Sequence, residues 1–199
     1  MFSVFKKTLT VDEAAEALYA LMRKDFNREW LSRLSRVSGL DFVRAEDELV
    51  LLDFFAIYFS LKFTRSPSWR DKGIPVFEKL FSFVLSWFGD FLESKNAGTR
   101  DDAFEILDAR LKAYGASIEE PSSADREEVL RSIGLKFAMY ALADDSFFGA
   151  DGRAREDRYE AFLGKLLVDH ENIITTVGAE VFNHRMQALH TWFDSHKVA

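Results

Sequence analysis

The chain has 199 residues, 48% apolar and 30% charged, a balance that excludes a disordered chain and predicts one globular domain. Its formal net charge of −7, without a dense cluster of Lys and Arg, disfavours binding to nucleic acid. The sequence contains no cysteine, which excludes disulfides, thiolate metal sites and cysteine nucleophiles. The amino-terminal MFSVFKK lacks the long apolar run of a secretory signal, so we expect a cytoplasmic location.

Helical periodicity recurs along the whole chain, and no stretch alternates between apolar and polar residues as a half-buried strand does. The pattern predicts an all-α fold, a single globular domain over 1–199 with six to eight helices. The most linker-like stretch, 116–124, includes Pro121-Ser122-Ser123 and is the one place where we expect a minor boundary.

Capping residues predict where several helices begin. Thr10 and Glu13 form a capping box ahead of the first helix, and Thr99 with Asp102 caps a later helix that we expect Gly115 to end. The two most apolar helices are predicted between these caps, over about 43–64 and 74–95.

The carboxyl-terminal part of the chain has helical patterns at 125–143 and from 154 to about 196, separated by a loop at 144–152. Because forty residues is long for one globular helix, we expect a break near 169–172.

The helices at 43–64 and 74–95 are apolar over most of their circumference and should form the centre of the fold. Charged residues interrupt both apolar windows, so neither predicts a transmembrane segment. The residues that we expect in the core are Leu52, Phe55, Phe59, Phe81, Val84, Leu85 and Phe88.

A narrow polar line runs along the first of these helices. Glu46, Asp53 and Ser60 are seven residues apart and therefore share one face. We expect this line to face solvent, because charged helical residues usually do. The alternative is an inward Asp53, whose raised pKa would make it a candidate catalytic proton donor or acceptor.

Histidines offer a second candidate and no metal site. His170 lies on the apolar stripe of the tail, where a structural role competes with a catalytic one. Glu180 and His184 share a face, but a surface ion pair is more common at that spacing than a metal site. Nucleotide-binding motifs are absent, so the sequence predicts no cofactor and no metal.

These patterns favour a soluble binding or protein-interaction module. The alternative is an enzyme, or a carrier of a cofactor or apolar ligand, with its site between the Phe-rich central helices. Membrane association through Phe2, Val4 and Phe5 ranks last, since so few residues bury little area. Apolar surface left by such helices also predicts a homodimer, with a contact through Phe182, Leu189, Trp192 and Phe193.

Overall fold

The computed structural model describes residues 6–24, 28–37, 40–64, 66–96, 98–119, 126–142 and 171–199. These residues form eight helices and two three-residue strands, which confirms the all-α fold class. None of the described helices has both the length and the apolar character needed to cross a bilayer. In chain order the elements are β1 (Lys7–Leu9), α1 (Val11–Lys24), α2 (Arg28–Leu34), α3 (Phe42–Phe63), α4 (Pro67–Arg70), α5 (Gly73–Ser94), α6 (Arg100–Glu119), α7 (Arg126–Ala141), α8 (Glu171–Ser195) and β2 (His196–Val198).

Both predicted capping boxes are present. The backbone N–H of Thr10 donates to Oε2 of Glu13 at 2.8 Å, and the N–H of Glu13 donates to Oγ1 of Thr10 at 3.2 Å. At the start of α6 the backbone N–H of Thr99 donates to Oδ2 of Asp102 at 2.6 Å. Hydrogen bonds with Thr10 and Thr99 hold the pKa values of Glu13 and Asp102 below their usual values. The bond from the threonine backbone N–H has the larger effect in each case, and the bond with the threonine side chain has the smaller one. Each carboxylate therefore supports its helix start in its charged form.

The two apolar helices, α3 and α5, begin and end one residue before the predicted bounds. The predicted end of α6 at Gly115 is wrong, because the helix continues to Glu119. A glycine within a helix costs only about 1 kcal/mol. Burial of the neighbouring Tyr114 ring outweighs that cost.

The strands β1 and β2 form a parallel pair that the periodicity did not predict. Lys7 pairs with His196 and Leu9 with Val198, and the N–H of Ala199 donates to the carbonyl of Leu9 at 2.9 Å. Three residues are too few for an alternating pattern to be recognised.

Contacts group the described residues into two compact units whose segments interleave along the chain. The first unit falls within Met1–Asp25, Ala56–Ile106 and His184–Ala199, and the second within Phe26–Phe55 and Leu107–Asn183. The single domain over 1–199 and the minor boundary at 116–124 stay predictions.

In the first unit α1 packs against α5, and Nζ of Lys79 lies 2.9 Å from Oδ1 of Asp12. Beside the strand pair, the indole N–H of Trp69 donates to the carbonyl of His196 at 3.0 Å. The fully buried Trp69 ring also lies 4.7 Å from the ring of Phe193, centroid to centroid. This cluster anchors the carboxyl end of α8.

The core prediction is confirmed for Leu52, Phe55, Val84 and Phe88, all of which are buried. It is wrong for Phe59, Phe81 and Leu85, which are half-buried. Phe81 meets the exposed ring of Phe104 edge-on. The apolar surface of α3 and α5 therefore extends beyond the core to partly exposed rings.

The predicted dimer contact is also corrected. Phe182, Leu189 and Phe193 are buried within the chain, and Trp192 is half-buried against the ring of Trp69. Buried side chains are not available to a second copy while the fold is intact. Phe182, Leu189 and Phe193 are core residues, Trp192 stays partly exposed, and self-association itself stays a prediction.

Within the second unit, α7 and α8 approach so closely that only glycine fits at two positions. A Cβ at Gly134 would lie 2.3 Å from the carbonyl oxygen of Thr175, and one at Gly178 would lie 2.6 Å from the ring of Phe137. A Cβ at Gly115, in α6, would meet nothing within 4 Å.

We therefore predict opposite effects for two glycine-to-alanine changes. Gly134→Ala should destabilise the protein by about 1–3 kcal/mol, because the added methyl group forces α7 away from α8. Gly115→Ala, the control, should stabilise it by about 0.5–1 kcal/mol through helix propensity. Urea melts of both variants measure this, and a stabilised Gly134→Ala protein would contradict the close packing.

Candidate functional site

Asp53 lies inside the protein, with 1% of its surface exposed, so the expectation of a solvent-facing polar line is wrong for it. On the same line Glu46 is exposed and Ser60 is buried. The polar line is therefore exposed near the start of α3 and buried towards its end. Asp53 is not without a partner, since it takes part in an interaction within the chain. The second candidate, His170, lies outside the described residues.

Asp53 is buried and Glu46, on the same helix face, is exposed, so substituting each in turn compares a buried carboxyl group with an exposed one. Asp53→Asn should destabilise the protein by about 1–3 kcal/mol, because it perturbs an interaction that the Asp53 carboxyl group makes in the interior. Glu46→Gln should change stability by no more than about 0.5 kcal/mol, since Glu46 is exposed. Denaturant melts at neutral pH would contradict this prediction if the two variants behaved alike.

A second buried carboxylate in α3, which sequence reasoning did not single out, belongs to Glu48. Its Oε2 accepts a hydrogen bond from Nε of Arg110 at 2.9 Å, and its Oε1 accepts one from the hydroxyl of Tyr114 at 2.7 Å. The guanidinium of Arg110 stacks 3.3 Å from the ring centroid of Tyr140. Glu48, Arg110 and Tyr114 are all buried, each residue being at most 8% exposed. We name Glu48, Arg110, Tyr114 and Tyr140 the Glu48 cluster.

Donors occupy both oxygens of Glu48, so the cluster holds a charged pair in the interior without stranding either partner. Burial, followed by the nearby Glu48 carboxylate, raises the pKa of Tyr114 well above its usual value. The phenol therefore keeps its proton and stays a hydrogen-bond donor to Glu48. This arrangement suits structural support of α3, α6 and α7 better than proton transfer with a ligand.

A surface groove lies in the first unit, between the end of α3 and one face of α8. It has a volume of about 630 Å³ and is lined by Lys6, Phe59, Ser60, Phe63, Thr64, Ser66, Pro67, Met186, His190, Phe193 and Asp194. The α8 residues are spaced by four, seven and eight positions, which places them on one helix face. We name it the α3–α8 groove.

Aromatic and sulfur-containing side chains form the walls of the α3–α8 groove. The rings of Phe59 and Phe63 lie 4.5 Å apart, and Phe63 is 54% exposed. The hydroxyl of Ser60 donates to Sδ of Met186 at 3.0 Å, which fixes the floor between the two helices. The half-burial of Phe59, wrongly predicted as core, follows from its position in this wall.

Charges lie along the edge of the α3–α8 groove. Nε2 of His190 is 3.7 Å from Oδ2 of Asp194, and both side chains are exposed, as is Lys6.

Over the described ranges, no three His, Asp or Glu side chains come close enough to hold a metal ion. Glu180, considered with His184 as a metal ligand, is instead 2.5 Å from Nη1 of Arg33.

No family model, curated protein or solved structure matches the chain.

The Glu48 cluster has a pH-dependent consequence. Because the pKa of Tyr114 is raised in the folded state, the unfolded tyrosine loses its proton first, at about pH 10. The stabilising contribution of Tyr114 is therefore complete below about pH 10 and is lost as the pH rises through the folded pKa. Tyr114→Phe should destabilise the protein by about 1–3 kcal/mol at neutral pH, since Oε1 of Glu48 loses its donor.

Unfolding free energies measured from neutral to alkaline pH test this. The difference between wild type and Tyr114→Phe should shrink above about pH 10. Parallel curves would show that the phenol does not titrate differently in the folded and unfolded states.

Proposed function

We propose that the protein is a binding module that holds a short apolar segment of a partner protein in the α3–α8 groove. The single observation that carries this proposal is the groove itself, about 630 Å³ in volume with Phe59, Phe63, Met186 and Phe193 in its lining. Phe63, exposed over 54% of its surface, extends this apolar lining towards solvent. Aromatic residues and Met are enriched at protein interfaces, which supports a protein ligand.

The polar part of the lining supports a peptide in particular. Hydroxyl groups of Ser60, Thr64 and Ser66 lie along the α3 side. Each already has one partner within the chain, Met186 for Ser60, the N–H of Ser66 for Thr64 and Ser68 for Ser66. Because a hydroxyl has one donor and two acceptor positions, each keeps hydrogen-bonding capacity for the N–H and C=O groups of a peptide. The charges of Lys6 and Asp194 have opposite signs, so the groove favours no strongly charged partner.

A carrier of a small apolar ligand is the second candidate. The volume of the α3–α8 groove falls within the range of about 300–1,000 Å³ that is usual for small-molecule sites. The groove lies between α3 and α8, whereas the sequence placed the site of a carrier or enzyme between α3 and α5.

The cytoplasmic location stays a prediction from the sequence.

Selection from a library of short random peptides on the purified protein tests the binding module. Enriched sequences should share apolar side chains, and a synthetic peptide should bind in fluorescence anisotropy titrations. Phe63→Asp should weaken this binding at least about tenfold, because it places a charge beside the apolar wall. Phe104→Asp is the matched control, since Phe104 is 50% exposed and does not line the groove.

Four outcomes would count against a peptide ligand. If no sequence is enriched, or if both variants bind equally, the groove is not a peptide site. If native mass spectrometry finds a small molecule bound to wild type and lost from Phe63→Asp, the protein is a carrier. If light scattering shows that wild type exceeds its 22.9 kDa mass and Phe63→Asp does not, the occupant is a second copy.

A further inference from the structure

A second groove lies in the first unit, between α1 and α5. It has a volume of about 500 Å³ and is lined by Glu16, Tyr19, Phe83, Ser86, Trp87 and Asp90. The α5 residues are spaced by three, four and seven positions and so share one helix face, opposite Glu16 and Tyr19 of α1. We name it the α1–α5 groove. None of its residues lines the α3–α8 groove.

Three half-buried aromatic rings lie along the α1–α5 groove. The centroids of Tyr19 and Phe83 are 5.9 Å apart with the ring planes tilted by 57°, and Trp87 follows Phe83 by one helical turn. Aromatic faces carry partial negative charge and attract cations that lie within about 6 Å of the ring centroid. Trp is the strongest of the three ring types in this respect.

Two carboxylates, those of Glu16 and Asp90, lie on opposite helices at this groove. Neither forms an ion pair or hydrogen bond with any side chain in the part of the chain that the structure describes. Both are exposed, so they are accessible to a ligand. Negative charge beside aromatic faces is the combination that binds organic cations.

The same two helices already hold one ammonium group in this way. Nζ of Lys79 lies 5.8 Å from the centroid of Phe83 and 2.9 Å from Oδ1 of Asp12. One helical turn further along, Glu16 follows Asp12 on α1 and Trp87 follows Phe83 on α5. The pairing of a carboxylate with an aromatic ring is thus repeated one turn further on by Glu16 and Trp87. At the α5 position that corresponds to Lys79, this second pair has Phe83 and no lysine.

We propose that the α1–α5 groove binds a small organic cation with an alkylated ammonium group. Methyl groups on the nitrogen contact the rings of Tyr19, Phe83 and Trp87, and Glu16 and Asp90 neutralise the charge. A small molecule fits this site better than a protein surface, because six lining residues are far fewer than the roughly 20–30 per partner in a standard interface.

The test uses choline and tetramethylammonium as probes of the full chain labelled with 5-fluorotryptophan. The four tryptophans give separate fluorine NMR signals, and Trp87→Phe identifies that of Trp87. Choline should shift the Trp87 signal saturably, with a dissociation constant of roughly millimolar size for such an open site. Sodium chloride at equal ionic strength should not.

Variants and a neutral probe decide whether charge recognition is responsible. The double variant Glu16→Gln/Asp90→Asn should bind choline at least about tenfold more weakly, while Asp101→Asn/Glu105→Gln, with the same charge change on α6, should bind as wild type does. The neutral isostere 3,3-dimethylbutanol should leave the Trp87 signal in place.

Three results would overturn the proposal. Equal shifts from choline and 3,3-dimethylbutanol would show an apolar cleft that does not select cations. Unchanged affinity in Glu16→Gln/Asp90→Asn would remove the role of the carboxylates. A trimethyllysine peptide that binds at least about tenfold more tightly than choline would assign the groove to a protein ligand.

Discussion

The hydrogen bonds from Arg110 and Tyr114 to the carboxylate of Glu48 impose the strictest geometric condition in the second unit. An ionised group removed from water costs several kcal/mol unless each polar atom finds a partner. Both donors lie on α6, four residues apart, so α6 must face α3 in one register for both bonds to form. The guanidinium of Arg110 stacks on Tyr140 and extends the condition to α7. Hydrophobic burial alone would tolerate several registers of these helices, whereas the Glu48 cluster tolerates one.

Local features of the fold were predictable from the sequence because their physical cause lies within a few residues. Thr10 with Glu13 and Thr99 with Asp102 satisfy backbone donors three residues away, and α3 and α5 end where their apolar runs end. The burial of Asp53 and Glu48 depends instead on distant parts of the chain, as the separation of 62 positions between Glu48 and Arg110 illustrates. A single sequence does not reveal which of several acidic residues on one helix will meet such a partner. A helix with this many apolar residues nevertheless offers little solvent-facing surface, and that signal could have indicated inward carboxylates, although we expected the polar line to face solvent.

The grooves show a related limit. Phe59 belongs to the same apolar run as Leu52 and Phe55, so periodicity assigns all three side chains to the core. Phe59 instead lines the α3–α8 groove, whereas Phe55 stacks on the ring of Phe182 and is buried. Similarly, the sequence alone does not distinguish Glu16 and Asp90 from other acidic surface residues. Only the packing of α1 against α5 brings Tyr19 beside Phe83. Grooves of this kind arise from helix pairs and are not visible in either helix alone.

The parallel pairing of β1 and β2 also determines how the first unit responds to mechanical load. Tension applied at the amino side of Lys7 and the carboxyl side of Val198 pulls two parallel strands in opposite directions along their length. In that shear geometry the hydrogen bonds between the strands share the load and must break together, whereas antiparallel strands joined by a hairpin would open one bond at a time. The indole of Trp69, bonded to the carbonyl of His196, adds a lateral attachment at the start of β2. With Leu9 and Val198 buried, this six-residue sheet would therefore resist tension applied at its outer ends, in the unit that contains both grooves.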